Sequence, residues 1–273
     1  MSDAPGAEYF SDGLAEEILN ALAQIQGLRV PSRTSSFSFK GQAIDLPTIA
    51  RKLGVSHVVE GSVRRAGDRV RVTAQLIDVA SDTHLWSETY ERKLDDVFAI
   101  QADIAGHIAR ALKITLGADE LASIGKPPTV DIESWQQFLQ ARYKLRNRKT
   151  AADLDDVLNL VDAAIARDPY FARAHSLRAL ALLLRPSWQQ GQAAFEAQRS
   201  NKPAGQETGE REATWSEALA SANRALELDP GLGEPYAVRA LHAQAHNLYA
   251  DAYRNFKEAV ARAPSDPEIH NWY

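Results

Sequence analysis

His242 and His246 stand four residues apart, a spacing that on a helix brings two imidazoles within reach of one metal ion. No third ligand stands near them in sequence, so a surface or packing role is expected and no metal is assigned. The histidines at 57, 84, 107, 175 and 270 are isolated from one another. Two carboxylate clusters, Asp95-Asp96 and Asp153 with Asp155 and Asp156, have the composition of a general acid–base pair. Each falls at or near an expected helix start, where negative charge answers the helix dipole, and no activated partner stands beside either. Segment 33–40 is a third candidate. Hydroxyls, Ser35 among them, lie between Arg33 and Lys40, a composition that can contact an anion or small ligand. Phe37 and Phe39 alternate within it, which predicts a segment packed on a sheet. No G-x-S-x-G, G-x-x-x-x-G-K-[ST], H-E-x-x-H or G-x-G-x-x-G motif occurs, and there is no cysteine, so no catalytic residue and no cofactor are assigned.

Basic side chains gather twice: Arg64, Arg65, Arg69 and Arg71 around an expected turn, and Arg142, Lys144, Arg146, Arg148 and Lys149 near one helix end. Solvated surface is the expected role of both. The net charge is −5 over 273 residues, divided as −4 for residues 1–125 and −1 for residues 126–273. Neither half has the basic excess of a nucleic-acid binder, so no nucleic acid is expected. The longest apolar run is residues 179–184, far short of the roughly 20 residues of a membrane helix, and no membrane segment is expected.

The elements that must position these residues fall into two parts. Residues 1–125 read as an α/β sheet domain. An amphipathic helix carries Leu14, Ile18, Leu22 and Ile25, with Ser11 or Asp12 as cap and Gly27 as stop. Residues 28–30 form a short strand candidate closed by Pro31. Asp45 leads a second helix that has Pro47 in its first turn and Gly54 as its stop. Residues 55–78 change to period two around Gly67-Asp68, which reads as a β-hairpin with one face buried. Residues 84–92 make a third strand. A long helix from Asp95 follows, carrying Val97, Ile104, Ile108, Leu112 and Leu116.

Six blocks in this half carry a resemblance. They are Tyr9-Phe10-Ser11-Asp12-Gly13-Leu14 with Glu16-Glu17, Arg33-Thr34-Ser35-Ser36-Phe37, Phe39-Lys40-Gly41, Val59-Glu60-Gly61-Ser62-Val63, Ala74-Gln75-Leu76-Ile77-Asp78 and His84-Leu85-Trp86. In this order they resemble the TolB amino-terminal-domain-like module of bacterial signalling proteins, over about residues 9–116. The resemblance implies an upstream output domain, often a class III adenylate cyclase or a winged-helix DNA-binding domain, and downstream tetratricopeptide (TPR) repeats. The family pattern opens with a strand of the type Ile-Ala-Val-Leu-Pro-Phe some fifteen residues before the Tyr-Phe-Ser-Asp-Gly block. Only eight residues precede Tyr9, so the first strand is expected to be missing. An unpaired sheet edge would invite self-association.

Residues 126–273 read as helical throughout after the linker Gly125-Lys126-Pro127-Pro128. Similar segments end at Pro169, Pro230 and Pro264; the last two are 34 residues apart, and the first spacing is 27 residues longer. Residues 134–264 resemble the TPR family, which implies about three helix pairs. Large and small residues would meet at Trp135, Ala141 and Ala164, at His175, Ala179, Leu182, Ala218, Ala222 and Ala225, and at Tyr236, Ala240, Ala252, Phe256 and Ala259. An insertion near 185–211 carries a helix candidate at 188–198 and a stretch at 200–205 expected to be flexible. The segment Ile269-His270-Asn271-Trp272-Tyr273 reads as the start of a truncated fourth repeat.

The overall fold class is therefore α+β, an α/β sheet domain followed by an all-α repeat domain. The expected partner-binding groove is lined by first helices, with Arg173, Ser176 and Leu180 in one repeat and Glu234, Ala237, Leu241, Gln244 and Leu248 in the next. Ala237 and Val238 stand where carboxylate-gripping TPR proteins use Lys and Asn, which favours a helix or an extended apolar segment as occupant. The expected function is a non-catalytic regulatory and protein-interaction region of a bacterial signalling protein, the expected parent being an adenylate cyclase or a transcriptional regulator. The alternative is a small-molecule sensor in which the α/β unit holds the ligand. The expected compartment is the cytoplasm, or the periplasm if the parent has an upstream membrane helix.

Overall fold

In a computed structural model of the chain, residues 8–117, 124, 126–200, 208–264 and 266–273 are described. The expectations placed on residues 1–7 and on 201–205 lie outside them. The chain forms two compact units, Met1–Pro127 and Pro128–Tyr273. It is α+β overall, with a three-stranded antiparallel sheet and helices in the first unit and paired helices in the second.

In the first unit, α1 (Glu8–Ala23) begins about a turn earlier than a cap at Ser11 would allow. The Ser11 hydroxyl donates back to the Glu8 carbonyl at 3.1 Å, inside the helix. Gly27 lies at φ 82°, the left-handed conformation that turns the chain after this helix. Residues 28–30 take no place in the sheet, contrary to the strand expectation. Segment 33–40 is not extended either. It contains α2 (Arg33–Phe37), whose start is capped by the Ser32 hydroxyl accepting from the Ser35 N–H. Hydroxyl-rich sequence here closes a local turn, because side-chain oxygens satisfy the free N–H groups of a helix start. The next helix, α3 (Leu46–Leu53), has its expected signals, with Asp45 accepting from the Thr48 N–H and Gly54 at φ 67°.

Strands β1 (His57–Ala66), β2 (Arg69–Asp78) and β3 (Thr83–Lys93) follow in spatial order β1-β2-β3. The β1–β2 turn is two residues long with Gly67 at φ 63°, and Ala66 pairs with Arg69 across it. Period two is fully expressed only on β2, where Val70, Val72, Ala74 and Leu76 are buried. β1 is mostly exposed, and its Val59 remains 40% accessible. Helix α4 (Val97–Ala111) follows a short 3-10 turn that takes up Asp95 and Asp96. Its Val97, Ile100, Ile104 and Ile108 repeat at helical spacing, and all are buried. They pack with Phe10, Leu14 and Leu22 of α1 to form the core beside β2. Each such side chain stabilises the fold by roughly 1.5–3 kcal/mol. The helix ends at Ala111, short of the expected Leu116, because Lys113 turns to φ 58°.

The second unit contains α5 (Ile132–Arg146), α6 (Ala151–Arg167), α7 (Ala172–Ser200), α8 (Thr208–Leu228), α9 (Glu234–Ala245), α10 (Tyr249–Arg262) and α11 (Pro267–Trp272). Consecutive helices pack as pairs, and α7 packs on α6, α8 and α9. The small residues picked out by repeat spacing lie where helices approach: Ala141, Ala164, Ala179, Ala218, Ala222, Ala225, Ala240 and Ala259 are fully buried. A local bond recurs as well, since His175 Nε2 meets the Pro169 carbonyl at 3.0 Å and His270 Nε2 meets the Pro264 carbonyl at 2.8 Å. The expected separate helix at 188–198 is instead the continuation of α7 through Pro186. Proline lacks an N–H and removes a helical bond at this point. Trp215 of α8 donates its indole N–H to the nearby Leu183 carbonyl at 3.2 Å, tying the two helices beside the interruption.

Candidate functional site

The start of α9 is where sequence-distant charges converge. Pro235 is suited to the first turn of a helix, which places Glu234 at the helix start beside α5 and α7. The Arg142 guanidinium of α5 donates to Glu234 Oε1 at 3.1 Å, and the Ser176 hydroxyl of α7 donates to Oε2 at 2.9 Å. One carboxylate thus joins three helices. The Arg142 and Glu234 side chains are only 14% and 20% accessible. Burial alone would raise the Glu234 carboxyl. Arg142, the Ser176 hydroxyl, Arg146 and Arg173 outweigh it and hold the group below its ordinary value.

Two further carboxylates lie close in this charge field, Asp266 before α11 and Glu268 within it. Burial raises both; Glu234 adds to the effect on each, while Arg142 opposes it at Asp266 and Arg148 at Glu268. The Arg173 guanidinium lies 5.1 Å from the centre of the Phe138 ring, a cation–π contact between α7 and α5. Arginine, acidic and serine side chains therefore share the side of the stack formed by the first helix of each pair. These charges are largely buried between the helices.

The candidate lining residues separate into two groups. Ser176, Leu180 and Ala237 are 1%, 2% and 0% accessible and serve packing between helices. Arg173 and Leu241 are partly accessible, and Gln244 is exposed. Leu241 follows Glu234 by two helical turns, on the same face of α9. Leu248 is exposed but stands beyond α9, as the residue preceding α10.

In the first unit, Arg33 Nε is 3.0 Å from the Glu16 carboxylate and Lys40 Nζ is 2.6 Å from that of Asp12. Both cations tie segment 33–40 to α1. Ser35 borders a separate open hollow of about 510 Å³, lined also by Ser32, Ser38, Phe39 and Lys52. The aspartates of the second cluster have structural partners: Asp153 completes a capping box with Thr150, Asp155 pairs with Arg185 at 2.8 Å, and Asp156 pairs with Lys144 at 2.7 Å.

Sequence reasoning noted Arg142 within a basic cluster but did not connect it to Glu234, 92 residues away. Asp266 and Glu268 were missed. Asp266 had one legible signal, an Asp-Pro pair at a helix start.

No family model matches the chain. A protein of Rhizobium meliloti (strain 1021), named "Putative adenylate cyclase 3", is 37% identical over 183 residues. The match takes in 67% of this chain and 31% of that protein. The chain is thus homologous to a part of that relative and spans about a third of its length. No described helix is long and apolar enough to cross a membrane.

Proposed function

We propose that this chain is the non-catalytic regulatory and protein-interaction region of a signalling protein related to adenylate cyclases. In this reading the first unit is a TolB-N-like module, and the second is a TPR stack whose first helices receive a protein or peptide. The observation that carries the reading is the joining of α5, α7 and α9 by Glu234. A carboxylate shared in this way fixes the spacing of three first helices, as a rigid receptor requires. Similarity to only part of a protein named as a cyclase supports a region that accompanies catalysis without performing it. The buried alanines and the recurring Pro–His bond support a repeat built from similar helix pairs.

The test is selection of displayed peptides on the intact chain, followed by affinity measurement with Arg173→Ala, Leu241→Glu and Gln244→Arg variants. At least a tenfold loss of affinity in two of these variants is expected. Unchanged binding in all three would refute the proposal.

A second reading, small-molecule sensing by the first unit, is favoured by the hollow at Ser32, Ser35, Ser38 and Lys52. It predicts a ligand-dependent melting shift that Lys52→Ala removes.

A further inference from the structure

Packing of α8 on α9 brings Glu212 to the two histidines singled out by their spacing. His246 Nε2 lies 3.1 and 3.2 Å from the two Glu212 carboxylate oxygens. The His242 and His246 rings stack with centroids 4.2 Å apart and planes inclined by 28°. One ligand atom from each of the three residues lies within 4.8 Å of the others. Trp215 stands edge-on to both rings, with centroids at 6.1 and 5.8 Å, and forms an aromatic wall. Glu212 is 59% and His246 32% accessible, so an ion can enter from solvent.

Three features match this cluster to a metal. Two imidazoles and one carboxylate form a borderline donor set of the kind that holds zinc, with a fourth position left for water or another donor. Zinc bonds to nitrogen and oxygen of roughly 2.0–2.2 Å set tetrahedral donors about 3.3–3.5 Å apart. The His246–Glu212 separations are already close to that, and the His242 donor lies within 4.8 Å of both partners. His246 Nδ1 is also 2.8 Å from the His242 carbonyl oxygen. Donation to that carbonyl keeps a proton on Nδ1, so Nε2, once it gives up the proton it now donates to Glu212, is the nitrogen left to ligate an ion, the outer-shell arrangement common to metal-bound histidines.

We propose that Glu212, His242 and His246 bind a divalent transition metal of the Zn²⁺ class, which clasps the second helix of one pair to the first helix of the next. The ligands come from α8 and from the C-terminal end of α9, where His246 follows the last helical residue, so the ion stabilises their packing and stiffens the stack between α8 and α9. No sequence motif announces the site, because Glu212 lies 30 residues before His242.

The test is calorimetric titration of the tag-free, chelator-treated full chain with Zn²⁺, followed in parallel by Trp215 fluorescence and thermal unfolding. Binding of one equivalent and a Tm increase of several degrees are expected. Glu212→Gln and His246→Gln should each weaken binding by at least tenfold, and His84→Gln on β3 should leave it unchanged. Substitution of Co²⁺ should give the visible absorption of a low-symmetry four-coordinate site, lost in Glu212→Gln. Glu212 is largely exposed, so that variant tests the site even if a histidine substitution disturbs folding. Absence of saturable binding, binding of several weak equivalents, or binding that Glu212→Gln and His246→Gln leave intact would overturn the proposal.

Discussion

Replacing Glu234 with alanine should loosen the whole helical unit, and the size of the loss follows from what the carboxylate touches. It accepts one charge-assisted bond from Arg142 at 3.1 Å and one from Ser176 at 2.9 Å. Bonds to charged groups contribute about 1.5–3 kcal/mol net. Truncation also leaves Arg142, only 14% accessible, without this partner, and breaking a buried pair from one side costs about 3–5 kcal/mol. Residual solvent access and water entering the space reduce that, so the expected loss is about 2–4 kcal/mol. With a urea slope of about 2 kcal/mol per molar, the midpoint should fall by roughly 1–2 M. Tryptophan emission is a suitable probe, because Trp135, Trp188, Trp215 and Trp272 belong to this unit and Trp86 to the other. A cycle with Arg142→Ala isolates the pair, with a coupling of about 1–3 kcal/mol. The Glu234 carboxyl is held below its ordinary value, so its contribution is complete above about pH 4.5 and disappears as pH falls through the depressed value. A midpoint unchanged within error, or strictly additive single and double variants, would refute the reasoning.

Other substitutions separate packing from charge. A Cβ on Gly233 would stand 2.7 Å from the Ala263 Cβ and 2.8 Å from the Ala259 carbonyl oxygen. Gly233→Ala should therefore cost about 1–3 kcal/mol by overpacking, read from the same urea transition. In the first unit, Arg33 faces a Glu16 side chain that is 4% accessible, whereas Lys40 is itself 49% accessible. Arg33→Ala should lower stability by about 2 kcal/mol or more, and Lys40→Ala by less than about 1 kcal/mol; equal losses would contradict this ranking. Burial raises the Asp266 carboxyl, so its ionisation opposes folding at neutral pH. Asp266→Asn keeps a competent helix cap, should raise the urea midpoint at pH 7, and should lose that advantage as pH falls through the raised range. A pH-independent effect would contradict the assignment.

How much of this was legible in advance depends on how local each cause is. The α3 start and stop needed only Asp45, Pro47 and Gly54, and the hairpin needed only alternating apolar residues around Gly67. Both are set within a few residues, and both formed. The buried alanines of the helical unit were also legible, because repetition at a fixed spacing turns a tertiary contact into a sequence pattern. Expectations failed where a local signal had two outcomes. Ser11 could cap a helix or sit inside one, and Pro186 could end a helix or interrupt one whose neighbour takes up a nearby carbonyl. The charge network at the start of α9 was hidden for a different reason. Arg142, Ser176 and Glu234 belong to different helix pairs, and only the stacking of those pairs makes them neighbours.

Photo-crosslinking tests the proposed interaction surface most directly. A photoreactive residue is introduced at Leu241 or Gln244 on the first-helix face, or at Glu217 or Lys257 on second helices, and each intact chain is exposed to bacterial lysate. The account predicts a discrete adduct from positions 241 and 244 that Arg173→Ala weakens, with none from 217 and 257. Adducts from 217 and 257 but not from 241 and 244 would contradict it.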